Sequence, residues 1–219
     1  KTKTKKKAAP SRKAKFAKAR SHVVKKHGDT LKKLAGKPKA GKSFMALCIA
    51  IAVASGGTAL GKVGVDAGIV LYLALEDSAR RLKTRMAQMM GDAPFPSRLA
   101  TVTEWPRMDA GGAELLDEWI GQHPGTRLVI IDTLAKVRPA RGRAGNVYDE
   151  DYEAAAAIKN VADKHEICIL VLHHLRKMTG DDPLDMISGT LALPGAADAI
   201  LILLRTGTAA DIDAKLHVT

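Results

Sequence analysis

The segment Gly36-Lys37-Pro38-Lys39-Ala40-Gly41-Lys42-Ser43 is a complete G-x-x-x-x-G-K-S, and the run from Phe44 to Ser55 behind it is built of small and apolar residues that suit a helix. Few eight-residue patterns constrain a fold so tightly. Gly36 and Gly41 let the backbone turn closely around an anion, successive N–H groups face it, and the helix start adds favourable polarity. The pattern predicts a strand over Thr30–Ala35, a phosphate-binding loop, and then the helix. Lys42 is placed to meet the β and γ phosphates of ATP and Ser43 to coordinate Mg²⁺, with Gly36 through Phe44 lining the nucleotide. Lys32 and Lys33 interrupt a strand that should be buried on both faces, so a glycine-containing surface turn is the competing reading.

Alternating strands and helices follow. Ile69–Leu75 reads as a central strand and Ser78–Met90 as a helix, with Leu82, Met86 and Met89 facing the sheet and its arginines and lysine facing solvent. A strand near Leu99–Thr103, a helix near Gly112–Gly121, a strand over Leu128–Ile131, a helix over Tyr148–Lys164 and a strand over Ile167–Leu172 continue the series. The segment Asp181–Gly195 has too many Gly, Pro and Asp residues for a regular core element, Ala199–Leu204 returns to a buried strand pattern, and Asp211–Thr219 looks like the start of an edge hairpin. Such alternation favours an α/β fold with a mostly parallel sheet.

Several residues at predicted strand ends carry chemistry. Leu128-Val129-Ile130-Ile131 delivers Asp132 where a carboxylate supports Mg²⁺, with an ordinary strand cap as the alternative. Glu76 follows Leu71–Leu75 and is the leading candidate for base or water-positioning group; Asp77 is the runner-up and is otherwise suited to cap the next helix. His173 and His174 close another strand. Adjacent side chains diverge there and no further ligands stand nearby, so a hydrogen bond sensing phosphate state fits better than zinc, against packing and strand capping. Arg205 ends the last buried strand and could stabilise charge at a neighbouring subunit's γ phosphate, aided by Lys215, or form an interface ion pair.

Charge divides the chain. Lys and Arg number 35 against 23 acids, a net charge of +12, yet residues 1–33 hold 14 basic residues and one acid, Asp29. The nearly neutral body is expected over residues 30–219 and a flexible Lys-rich arm over 1–29, either a solubilising tail or a nonspecific attractor of nucleic acid. Cys48 and Cys168 lie in apolar runs 120 residues apart, which predicts buried thiols in a reducing, cytoplasmic setting. There is no apolar run long enough to span a membrane and no secretory pattern. The chain starts without Met and ends at Leu216-His217-Val218-Thr219 inside a predicted strand, so missing material is expected at both ends.

Taken together, Gly36–Ser43, Leu71–Asp77, Leu128–Lys136, Leu170–Lys177 and Ile187-Ser188-Gly189-Thr190 through Arg205 resemble the RecA-like branch of P-loop ATPases. The resemblance is nearest to AAA-family ATPases related to the hexameric replicative helicases of plasmids, phages and integrated elements. It implies a RecA-like core over about 30–219 whose C-terminal edge hairpin is cut short, a hexameric homo-oligomer, single-stranded DNA as ligand, and a replication initiator or primase as candidate partner. By resemblance, Glu76 looks like the catalytic glutamate, His173 or His174 like the γ-phosphate sensor, and Arg205 like the finger offered to a neighbour. The family's channel loops would correspond to Lys136, Arg138, Arg141 and Arg143, an acid-free basic stretch, and to Arg176 and Lys177; exposed, solvated charge is the alternative for both. A nonprocessive DNA-binding ATPase, a nucleotide-stabilised partner protein and a small-molecule kinase are the competing functions.

Overall fold

The computed structural model describes residues 41–140, 147–173, 197–199, 201–205 and 214–218. The arm, the expected first strand, the loop residues Gly36, Lys37, Pro38, Lys39 and Ala40, the basic residues Arg141, Arg143, Arg176 and Lys177, His174 and Ile187–Thr190 lie outside them. All described residues except Arg205 fall in one compact unit.

Among the described residues the core is a four-stranded parallel sheet in the order β4-β3-β5-β6, formed by β3 (Ile69–Ala74), β4 (Leu99–Val102), β5 (Thr126–Asp132) and β6 (Cys168–Leu172). Side-chain alternation along β3 sorts the two faces. Val70, Tyr72 and Ala74 join Leu128, Ile130 and Leu172 under α1 (Lys42–Ser55) and α2 (Ala79–Met90). Leu71 and Leu73 join Val129 and Ile131 under α3 (Gly112–Gln122), α4 (Leu134–Val137) and α5 (Val147–His165). A sheet covered on both faces accounts for strands that read as continuous apolar runs. Ala46, Ala50 and Ala54, one helical turn apart, are all buried on α1 and let its backbone approach the sheet closely.

Helix α2 buries Leu82 and Met86, with Met89 packed beside them. Its cap is Ser78, whose hydroxyl accepts from Arg81 N at 3.3 Å, and not Asp77 as the sequence suggested. Asp77 instead pairs with Arg81 and Arg85, one and two turns along α2, so its carboxylate is held by cations before it could turn back to the helix amides. On the opposite face, Asp117 of α3 accepts from Lys164 Nζ at 2.8 Å and faces His165 Nε2 at 2.7 Å, tying α3 to the last turn of α5.

The hairpin of β1 (Gly57–Ala59) and β2 (Val63–Val65) was not anticipated, because three-residue strands containing glycine carry no readable period. Two further departures concern the edges. Strand β7 (Leu201–Arg205) pairs with β8 (Ala214–Val218) in a separate two-stranded sheet, and Leu201, expected in a buried strand, is 43% exposed. Cys48 is half-buried and burial pushes its thiol up to about 11, whereas Cys168 is exposed, because it begins β6, an outer strand of the four-stranded sheet. No described helix is long and apolar enough to cross a membrane.

The start of α3 is close-packed: Trp105 Nε1 donates to Gly112 O at 3.1 Å, and a Cβ added at Gly112 would collide with the carbonyl oxygens of Pro106 and of Arg107, the latter at 2.6 Å. Gly112→Ala is therefore expected to destabilise the fold by about 1–3 kcal/mol through overpacking. Gly121→Ala, with nothing within 4 Å of its added Cβ, should instead stabilise it by about 0.5–1 kcal/mol. Urea denaturation of the two variants beside the wild type checks both signs.

Candidate functional site

Parallel register places the functional ends of the strands at one edge. Ala74 pairs with Asp132, Asp132 pairs with Leu172, and Leu75 N donates to Asp132 O at 2.8 Å, extending the β3–β5 contact one residue beyond the strand. Glu76 and Thr133 are thereby neighbours: the Thr133 hydroxyl donates to Glu76 Oε1 at 3.3 Å. His173, half-buried, follows β6 at the same edge. The chain leaves β5 through a cis Asp132–Thr133 peptide bond.

Helix α1 begins at this edge. Gly41 adopts φ +81° and ψ 8°, a left-handed conformation that favours glycine, and its carbonyl accepts from Met45 N at 2.9 Å. Within α1 no acidic side chain stands in the first turn, and Gly41 makes no side-chain cap hydrogen bond among the described residues, so the helix start carries main-chain donors and its positive end. Lys42, Ser43 and Phe44 occupy the first turn and are half-buried.

Strand β3 connects helix start to carboxylate. Tyr72, 2% exposed, donates to Asp132 Oδ2 at 3.0 Å, and its hydroxyl lies 3.3 Å from Ser43 O. The Ser43 hydroxyl also stabilises the Asp132 carboxylate. Asp132 is 3% exposed and its Oδ1 is buried with no hydrogen-bond partner among the described residues. Burial pushes the Asp132 carboxyl above the usual carboxylate range; the Ser43 and Tyr72 hydroxyls pull it back, and the Glu76 and Asp77 carboxylates push it further up. Burial, followed by the nearby Asp132 charge, pushes the Tyr72 phenol far up, so it is a donor under all working conditions.

An unpartnered carboxylate oxygen beside a serine hydroxyl, with like charges nearby, is an arrangement that a hard divalent cation relieves. Among the described residues no three His, Cys, Asp or Glu side chains form a metal cage. Two oxygen ligands are what Mg²⁺ takes from protein when phosphate oxygens and water complete its shell, so Ser43 and Asp132 fit the ion and the start of α1 fits the phosphates.

The expected residues are distributed as follows. Lys42, Ser43, Glu76, Asp132 and His173 gather at one sheet edge. Asp77, its side chain buried, is paired with Arg81 and Arg85, and Arg81 also donates to Glu76 O at 2.6 Å. Lys136 is exposed on α4. Arg138 is half-buried with its Nη1 3.4 Å from the buried Asp151 of α5, so the stretch that is acid-free in sequence acquires an acid from thirteen residues along the chain. Arg205 ends β7 and Lys215 lies in β8, strands of one small sheet, both placed by backbone alone. Sequence reasoning missed Tyr72 and Thr133. The signal for Tyr72 was a phenol in a strand buried on both faces, which must find an acceptor.

Comparison with protein families matches residues 9–180 to the family described as "AAA domain". No curated protein matches the chain. Among solved structures it is similar to "a DnaB-like replicative helicase and its interactions with primase", at 15% identity and a TM-score of 0.49, over 69% of this chain and 47% of that one. The chain thus spans less than half the length of that protein.

The electrostatics of Asp132 give a prediction. Its folded pKa lies above the unfolded one, so the folded state binds this proton more tightly. The resulting destabilisation is full above the folded value and fades as pH falls through it. Asn carries no such penalty at any pH. In EDTA without nucleotide, Asp132→Asn is expected to be at least as stable as wild type at neutral pH, with the difference narrowing on acidification. Denaturant midpoints at neutral and mildly acidic pH measure this, and a lower neutral midpoint for the variant would contradict it.

Proposed function

The chain belongs to the AAA-domain family, and from that membership and the site geometry we propose that it is a Mg²⁺-dependent ATPase acting in the cytoplasm as a ring of identical subunits coupled to single-stranded DNA. The observation that carries this reading is the meeting of Ser43 and Asp132, with the buried free Oδ1 of Asp132, beside Glu76 at the start of α1. In this reading the first turn of α1 and Lys42 bind the β and γ phosphates, and Ser43 and Asp132 hold the cation. Bound there, Mg²⁺ would offset charge on the phosphate oxygens. Glu76, oriented by Thr133, accepts a proton from the attacking water. His173 senses the γ phosphate, alone or with His174, and Arg205, aided by Lys215, reaches a neighbour's site.

The catalytic unit is residues 30–219, with residues 1–29 as a cationic arm. Translocation or unwinding during plasmid or mobile-element replication, with six subunits and an initiator or primase as partner, is the fullest form of this reading. One observation favours the nonprocessive DNA-binding ATPase instead: Arg138 is engaged by Asp151, which withdraws one cation from the first proposed DNA loop. Particle size, hydrolysis with and without single-stranded DNA, and displacement of a labelled strand separate the two forms.

Mutation tests the chemistry directly. Glu76→Gln should retain nucleotide binding and lower kcat by roughly 10²–10⁴-fold, the usual contribution of a positioned base. Lys42→Ala should abolish DNA-stimulated turnover. Wild-type hydrolysis by either variant would remove the assignment.

A further inference from the structure

We propose that Tyr72 is the positioning residue for cation capture at this site: its hydroxyl locks the Asp132 carboxylate in the orientation that leaves Oδ1 open as a ligand. The inference rests on the Mg²⁺ reading of Ser43 and Asp132 and assigns a role to a buried residue beside them.

Three observations carry it. Tyr72 is the one aromatic residue of β3, and among Val70, Ala74 and the alanines of α1 a phenylalanine would fill the same space, so packing does not account for the hydroxyl. That hydroxyl stands where three elements meet at the site, on β3, 3.0 Å from Asp132 Oδ2 on β5 and 3.3 Å from Ser43 O on α1. It has one proton and two acceptors; the charged carboxylate is the stronger, so the proton goes to Oδ2. The third observation is the consequence: Oδ2 is engaged, while Oδ1 of the same carboxylate is buried and has no partner among the described residues.

A carboxylate with both oxygens unengaged would rotate to share any donor, the Ser43 hydroxyl included, and would have to be turned back when a cation arrives. Tyr72 removes that reorganisation in advance, as outer hydrogen-bond partners do for metal-binding carboxylates elsewhere.

The test compares the full-length wild type with Tyr72→Phe, using Mn²⁺ as the metal and a nonhydrolysable ATP analogue. Electron paramagnetic resonance gives free Mn²⁺, and a fluorescent nucleotide in EDTA gives metal-free affinity. The expected result is that half-saturating Mn²⁺ rises about tenfold in Tyr72→Phe while metal-free nucleotide affinity is unchanged. Equal Mn²⁺ half-saturation in the two folded proteins, or a parallel loss of metal-free affinity, overturns the role of Tyr72. A wild type that takes up no Mn²⁺ with the nucleotide sinks the Mg²⁺-ATPase reading itself.

Should Tyr72→Phe not fold, 3-fluorotyrosine in a protein carrying Tyr148→Phe and Tyr152→Phe leaves Tyr72 as the single reporter. Its fluorine resonance is expected to shift when Mg²⁺ is added to the nucleotide complex. An unchanged resonance overturns the proposal.

Discussion

A carboxylate at the end of β5 is taken almost completely out of water, and three elements converge to keep it there. Burial favours the neutral form of Asp132, and the neighbouring charges of Glu76 and Asp77 act in the same direction. Opposing them are the Ser43 hydroxyl from α1 and the Tyr72 hydroxyl from β3, both aimed at the carboxylate by parallel register and by α1 lying close to the sheet. The alanine stripe of α1 lets the helix lie close to the sheet, and a bulkier residue at 46, in the turn after Ser43, would strain that approach.

Asp77 shows how the same edge separates two adjacent acids. Its carboxylate is neutralised by Arg81 and Arg85, and Arg81 also holds the Glu76 carbonyl, so the turn leaving β3 is braced from α2. Glu76 meets a neutral donor instead, the Thr133 hydroxyl at the exit of β5.

Much of this was readable from the residues because the strands are buried on both faces and the helices have clear apolar stripes. Strand bounds near Ile69–Leu75 and Leu128–Ile131 and helix bounds near Ser78–Met90 and Gly112–Gly121 agree with the structure to within a few residues. Contacts between residues far apart in sequence were not readable. Tyr72 meets Asp132 sixty residues on, Arg138 meets Asp151 from another helix, and Ser78 caps α2 while Asp77 pairs with arginines of that helix. Each depends on which side chains the fold brings together, and spacing along the chain does not encode that.

Gly41, left-handed at the threshold of α1, turns the chain so that the first amides of the helix are left at its start. The donors there belong to the main chain, and substitution cannot delete an amide other than by proline. A change at Gly41 would therefore disturb the helix start through the backbone, where no exchange of a neighbouring side chain could restore it.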